Sequence, residues 1–114
     1  MLNIKDKRIL ECIIQHCLNI EEDVSNITED GFYNDRKTQN SVCFDILQIG
    51  ELAKSLSDEF VLQNNQMPWK EIKGMRDWVV HGYHTIKMSR VWNTAVEDIK
   101  PLREYCEPIL ANDN

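Results

Sequence analysis

The sequence has few residues that break helices and a deficit of positive charge. Four glycines and three prolines are spread over 114 residues, too few for a fold of many short strands joined by turns. Thirteen lysines and arginines face 19 acidic residues, which leaves a formal net charge of −6. Proteins that coat nucleic acid by charge alone carry a basic surface. Any contact with nucleic acid must therefore be confined to a small site.

Export signals, long apolar runs and paired cysteines are also missing. The first ten residues lack the charged-then-apolar pattern of a signal peptide, and the apolar runs are too short to span a membrane. The four cysteines form no CxxC pair, which argues against a structural zinc site and predicts reduced, partly buried thiols. We therefore expect a cytoplasmic protein with a single domain over residues 1–114, no membrane segment, no metal and no cofactor.

Apolar residues recur at helical spacing in four segments. The predicted helices are Ile4 to Ile27, Gln39 to Leu62, Trp69 to His81 and Met88 to Ile109. The stretch Gly31 to Thr38 is predicted to be a loop, and Gln63 to Met67 a polar connection. No strand-like alternation and no internal repeat is present. The pattern predicts an all-α fold, an up-and-down antiparallel bundle of four to five helices.

Glycine and proline mark particular points in these segments. Pro68 suits the first turn of the third helix, and Gly82 suits its end. Pro101 lies inside the fourth segment and should kink or split that helix. Gly50 lies inside the second segment, where it costs about 1 kcal/mol relative to alanine unless close packing requires it. Contact between two helices is the preferred explanation for Gly50, ahead of contact with a ligand.

The segment from Pro68 to Tyr83 carries the residues best suited to chemistry. On a helical wheel Arg76 lies at the edge of the apolar side, and Asp77 and His81 lie on one stripe because they are four residues apart. Arg76 and His81 are five residues apart, about 140° around the helix. One helix cannot easily direct both at a single atom. Two copies of the helix facing each other could place these groups around one phosphate.

These residue types suit the cleavage of RNA. Histidine exchanges protons near neutral pH, and the dipole at a helix C-terminus favours the protonated form of His81. Asp77 could orient the His81 ring, while Arg76 could bind phosphate and stabilise charge in a transition state. RNA supplies its own nucleophile, the 2′-hydroxyl. Such a site would need no metal and would leave a 2′,3′-cyclic phosphate and a 5′-hydroxyl.

A purely structural interpretation of the same residues is open. Arg76 and Asp77 could be surface ion-pairing groups, His81 could cap the last carbonyls of the helix, and Tyr83 could bury its ring. Spacing alone favours this simpler interpretation.

Several motifs together resemble the HepT-like family of the HEPN superfamily of helical ribonucleases. They are the opening Lys5-Asp6-Lys7-Arg8-Ile9-Leu10, the run Ile49-Gly50-Glu51-Leu52-Ala53-Lys54, the stretch from Pro68 to Asp77, His81-Gly82-Tyr83, Val91-Trp92 and Asp98-Ile99-Lys100-Pro101-Leu102. The resemblance implies a dimeric bundle of four or five helices, with the Arg-x4-His-x-Tyr helices of two protomers lining a shared cleft. Arg76 and His81 match the catalytic arginine and histidine of that motif, and Tyr83 matches its tyrosine.

The resemblance also implies a biological setting. Members of this family are commonly toxins paired with a minimal nucleotidyltransferase antitoxin of the MntA-like type, as in a type VII-like toxin–antitoxin system. The antitoxin transfers AMP to the tyrosine, here Tyr83, where the added phosphate would block RNA. The sequence departs from the family in two places: Asp77 replaces a more usual asparagine, and Lys87 replaces a helix-capping aspartate. The extra charge of Asp77 should weaken substrate binding unless His81 or Arg76 holds the carboxylate.

Two other functions are compatible with the sequence. The chain could be a non-catalytic helical subunit that docks or regulates a minimal nucleotidyltransferase, which its acidic surface and Asp77 would favour. It could also be a structural helical dimer with an inert motif. The leading prediction is a metal-independent endoribonuclease that acts on RNA as a homodimer.

Overall fold

Helices account for most of the chain in the computed structural model, which describes residues 1–113. They are α1 (Ile4–Val24), α2 (Glu29–Tyr33), α3 (Arg36–Lys54), α4 (Asp58–Gln63), α5 (Trp69–Gly82), α6 (Met88–Asn93) and α7 (Ile99–Ala111), and a π turn (Thr94–Asp98) joins the last two. The described residues contain no strand. Among them, no helix has the length and apolar character needed to cross a membrane. The prediction of an all-α fold is confirmed.

Contacts between helix ends show that the long helices run antiparallel. The end of α1 meets the start of α3, where the Ser41 hydroxyl donates to Asp23 at 2.7 Å. The start of α1 meets the end of α7, where the Leu2 N–H donates to Asp113 at 2.8 Å. In the middle of α1, His16 Nδ1 lies 2.7 Å from the buried carboxylate of Asp45 on α3. Helices α3 and α7 therefore both pack against α1.

Most of the core is formed by the apolar faces that helical spacing predicts, and Phe32, from the stretch predicted to be a loop, is buried with them. The largest fully buried side chains are Phe32, Leu10, Ile13, Ile20, Ile46, Ile49, Ile99, Val42, Val79 and Val91. Three of the four cysteines, Cys17, Cys43 and Cys106, are buried as free thiols, and burial raises the pKa of Cys43 to about 11. These thiols behave as small apolar groups, as the sequence predicts.

The prediction of a single helix from Gln39 to Leu62 is wrong, because this segment forms two helices. Helix α3 ends at Lys54 and α4 begins at Asp58. Ser57 caps α4, since its hydroxyl accepts from the Phe60 N–H at 3.1 Å. Its own N–H and hydroxyl donate to the buried carboxylate of Asp6, at 2.9 and 2.6 Å. A contact with α1 therefore fixes the break between α3 and α4.

The stretch from Gly31 to Thr38 is also only partly a loop, because two caps start helices within or beside it. Thr28 accepts from the Gly31 N–H at 3.0 Å and begins α2, and Asp35 accepts from the Thr38 N–H at 3.1 Å and begins α3. Phe32 of α2 is fully buried, with its ring 5.3 Å from that of Trp92. This short helix therefore covers one end of the core.

The predicted effect of Pro101 is observed as a change in helical winding. Proline has no N–H to donate to the carbonyl of Glu97, four residues earlier. The chain widens into the π turn immediately before this point and continues as α7. The segment from Met88 to Ala111 therefore forms a single arm of the bundle that is split near its middle.

Candidate active site

Gly50 allows α3 and α5 to approach closely beside the predicted catalytic arginine. A Cβ atom added at Gly50 would lie 2.6 Å from the backbone nitrogen of Arg76 and 2.9 Å from its Cβ. Real Cβ atoms do not tolerate a backbone nitrogen at that distance, so only glycine fits here. The predicted role of Gly50 in helix contact is confirmed, and this contact fixes the position of Arg76 along α3.

Carboxylates hold the guanidinium of Arg76. Its Nε donates to Glu51 on α3 at 2.9 Å, and its NH1 donates to Asp77 at 3.2 Å. Lys54 Nζ donates to the same oxygen of Asp77 at 3.1 Å. Hydrogen bonds from Lys54 and Arg76 lower the pKa of Asp77, and hydrogen bonds to Asp77 and Glu51 raise the pKa of Arg76. The four side chains form a charged cluster on the surface of the α3–α5 pair.

Asp77 therefore holds Arg76 and not His81. The carboxylate that might have oriented the His81 ring is directed toward Lys54 and Arg76. Of the two partners that the sequence allows for Asp77, the structure selects the arginine. Within residues 1–113 the His81 side chain is exposed and makes no hydrogen bond.

Arg76 and His81 lie on different sides of α5. Arg76 lies against α3 at Gly50, whereas His81 lines an open groove on the side of α5 that faces α6. This divergence agrees with the angle of about 140° that separates residues five apart on a helix. In a single chain, Glu51 and Asp77 hold the Arg76 guanidinium, and Arg76 is not among the residues that line the groove beside His81.

Tyr83 lies just beyond α5 and is partly exposed to solvent. The side chain is 43% exposed, and its hydroxyl donates to the amide oxygen of Asn40 on α3. The ring contacts His84 edge-on, with centroids 5.6 Å apart. The structural interpretation that buries this ring is therefore wrong.

Two exposed apolar side chains lie between the Tyr83 and Arg76 contacts of the α3–α5 pair. Phe44 on α3 is 57% exposed and Val80 on α5 is 40% exposed. Both fall between the Asn40–Tyr83 contact and the Gly50–Arg76 contact in the antiparallel register of the two helices.

The groove beside His81 has a volume of about 1210 Å³ and separates α5 from the arm formed by α6, the π turn and α7. Its lining includes Trp78 of α5 and Arg90 of α6, whose guanidinium carbon lies 4.2 Å from the Trp78 ring centroid. This cation–π contact was not evident from the sequence, because the two residues lie on different helices.

Sequence reasoning also missed the partners of the motif residues. Glu51, Lys54 and Asn40 all lie on α3 and reach α5 only in the folded chain. Spacing around Gly50 offers a signal for two of them. Once Gly50 is placed against Arg76, Lys54 lies on the same side of α3 because it is four residues later, and Glu51 is next to Lys54 because the two are three residues apart.

Comparisons with known proteins identify a family and several relatives of the chain. Residues 7–109 match the family described as ribonuclease HepT-like. A candidate RNase from Caldanaerobacter subterraneus subsp. tengcongensis is 33% identical over 104 residues, which cover 91% of this chain and 93% of that protein. A candidate RNase from Methanocaldococcus jannaschii is 32% identical over 114 residues, covering 96% and 94% of the two chains.

A third relative carries the family name itself. A candidate ribonuclease HepT from Thermococcus cleftensis is 34% identical over 103 residues, covering 90% of this chain and 94% of that protein. No solved structure matches the chain significantly. The family match covers nearly the whole bundle, including Arg76, His81 and Tyr83. The chain therefore belongs to the HepT-like ribonuclease family.

Proposed function

We propose that the protein is the toxin of a toxin–antitoxin pair and cleaves RNA at a site shared by two copies of the chain. The observation that carries this proposal is the divergence of Arg76 and His81 on one helix. A second copy packed against the same face would bring the arginine of one chain toward the histidine of the other. The exposed Phe44 and Val80 supply an apolar face for that contact.

The residues have complementary roles in the proposed reaction. One His81 takes the proton of the RNA 2′-hydroxyl, whose oxygen then attacks the adjacent phosphorus. Arg76 stabilises the charge that develops on the phosphoryl oxygens. The bond to the 5′-oxygen breaks, and the leaving oxygen takes a proton from an imidazolium or from water. The products are a 2′,3′-cyclic phosphate and a 5′-hydroxyl, and no step requires a metal ion.

The test is incubation of the purified chain with RNA in the presence of EDTA. We expect cleavage that leaves a cyclic phosphate, detected by end-group analysis, and about a 10²- to 10⁴-fold loss of rate in His81→Ala. His84→Ala is the matched control, because His84 is exposed three residues away and is not part of the motif. An intact RNA pool with the wild-type chain would contradict the proposal, as would equal losses in both variants.

Asp77→Asn should raise the rate of cleavage. The amide would keep the shape of the side chain but remove the negative charge that occupies Arg76 and Lys54. With one fewer carboxylate competing for the guanidinium, phosphate should bind more tightly, and we expect kcat/KM to rise about three- to tenfold at low salt. The gain should shrink as salt is added. A lower kcat/KM would show that Asp77 positions Arg76 more than it neutralises it.

The proposal extends to control by a minimal nucleotidyltransferase antitoxin of the MntA-like type, with Tyr83 as the acceptor of AMP. The exposure of Tyr83 and its place two residues from His81 support this role. Transfer would join the Tyr83 oxygen to the α-phosphorus of ATP and release pyrophosphate. The added phosphate would then repel RNA from the motif helix.

Intact-mass measurement after incubation with such an enzyme and ATP tests the acceptor. We expect the wild-type chain and Tyr33→Phe to gain AMP and Tyr83→Phe to gain none. Tyr33 is a suitable control because it is also surface-exposed, with its hydroxyl bonded to Glu29. A gain that persists in Tyr83→Phe would place the modification elsewhere.

The second candidate function is a non-catalytic subunit that docks or regulates a nucleotidyltransferase. The observation that favours it is the pairing of Arg76 with Glu51 and Asp77, which leaves the guanidinium already occupied. Under this alternative the chain binds the enzyme and leaves RNA intact, and His81→Ala changes neither result.

A further inference from the structure

The groove between α5 and α6 has a basic end and an acidic end. Helix α5 and the arm that begins with α6 run antiparallel, so the turn over residues 83–87 closes one end. His81 and Lys87 line the groove at that end, and Arg90 lines it about one helical turn farther along α6. Glu71, ten residues before His81 and so about 15 Å away along the helix axis, lines the other end.

Asp98 makes the far end more acidic. It closes the π turn that follows α6, and it lines the groove together with Glu71. Two carboxylates repel a phosphate, whereas carboxylates and amides can accept hydrogen bonds from the amino groups of bases. A strand of nucleic acid in this groove would therefore keep its phosphates at the His81 end and direct its bases toward the Glu71 end.

Arg90 and Trp78 provide a stacking surface between the two ends. The guanidinium of Arg90 lies over one face of the Trp78 ring. Within residues 1–113, Arg90 makes no salt bridge, unlike Arg76 and Arg103. Guanidinium planes and aromatic rings are the surfaces on which proteins stack unpaired bases. Arg90 is exposed, so a base could reach it from the solvent side.

The size of the groove suits more than a single small molecule. Its volume of about 1210 Å³ exceeds the range of about 300 to 1,000 Å³ typical of small-molecule pockets. His81, the proposed proton acceptor, is one of the residues that line the groove. The groove is thus placed to hold the part of a substrate that adjoins the reacting phosphate.

We infer that this groove binds an unpaired base of single-stranded RNA next to the phosphate at His81, with Arg90 and Trp78 as the stacking surface. This inference rests on the proposed ribonuclease function and deepens it. It makes Arg90 a substrate-positioning residue that favours unpaired RNA over a duplex, because a paired base must first be unpaired and unstacked before it can enter the groove.

The test measures binding separately from cleavage. The probe is a short single-stranded 2′-O-methyl RNA, which has no free 2′-hydroxyl to attack the phosphate, compared with an abasic strand of the same length. We expect the wild-type chain to prefer the strand with bases by about tenfold in fluorescence anisotropy, and Arg90→Gln to lose that preference. Arg8→Gln is the matched control: Arg8 is exposed on α1, so this variant loses the same charge away from the groove and should keep the preference.

The outcomes separate this inference from the ribonuclease proposal. A wild-type chain that cleaves RNA yet binds the two strands equally overturns the base groove alone. Base-dependent binding that requires Arg90, without any cleavage of ordinary RNA, supports the groove and overturns the ribonuclease. If Arg90→Gln and Arg8→Gln change the preference for bases equally, the base-binding role of the groove is also overturned. Arg90 would then contribute only its positive charge. Binding of a free nucleoside monophosphate as tight as that of the strand overturns the assignment to RNA.

Discussion

Mixing two inactive variants, Arg76→Ala and His81→Ala, should restore RNA cleavage. Each variant alone should lose about 10²- to 10⁴-fold in rate, because one lacks the charge stabilisation and the other lacks the proton acceptor. In a mixed dimer, the intact histidine of one chain meets the intact arginine of the other at one of the two sites. Random exchange of chains in an equal mixture should recover about a quarter of the wild-type activity, since half the dimers carry one working site.

The control for this experiment is a mixture of wild-type chain with the double variant that lacks both side chains. Its mixed dimers contain no site with both an arginine and a histidine, so it should show only the activity of the remaining wild-type dimers. Chain exchange can be verified by mass measurement of dimers in which one chain carries an isotopic label. Exchange without recovery of activity would show that Arg76 and His81 of one chain act together, and would overturn the shared site.

Gly50→Ala should destabilise the fold far more than the addition of a single methyl group would suggest. The added methyl would approach the backbone nitrogen of Arg76 to 2.6 Å, and a backbone atom cannot rotate away as a side chain can. Helices α3 and α5 must separate, and we expect a loss of about 1–3 kcal/mol in the free energy of unfolding, as for other overpacked contacts. Denaturant unfolding followed by circular dichroism measures this loss, and separation of α3 from α5 should also lower RNA cleavage because it moves Arg76.

Gly74→Ala is the matched control for Gly50→Ala. It makes the same change in the interior of α5, where an added Cβ would meet nothing within 4 Å. Alanine stabilises a helix by about 1 kcal/mol relative to glycine, so this variant should be more stable than the wild type. If the two variants shift stability in the same direction, α3 and α5 are not in the close contact that places Arg76.

The sequence was sufficient for the long helices because their apolar spacing is repeated many times. A single position that departs from the pattern does not hide a repeat that extends over about six turns, as in α1. The sequence was insufficient to predict the short helices α2 and α4. Their starts depend on single caps, and the cap of α4 is completed by Asp6, 51 residues away. The spacing of apolar residues along the chain does not indicate that contact.

The candidate site divides in the same way. Arg76, Asp77, His81 and Tyr83 could be named from a motif, because the motif lies on one short stretch of chain. Their partners could not, because Glu51 and Lys54 reach Arg76 and Asp77 only through the close contact at Gly50. The stacking pair of Trp78 and Arg90 likewise joins two helices that are separated by a turn.

The amino-acid sequence by itself determined the class of fold, the family and the candidate catalytic residues, since each is encoded by spacing or by a short motif. The tertiary structure decided which carboxylates pair with Arg76, on which side of α5 His81 lies, and which residues line the groove beside His81. The physical reason is that these properties depend on distances between helices. Those distances are set by packing, above all by the missing side chain of Gly50, and not by the order of residues along any one helix.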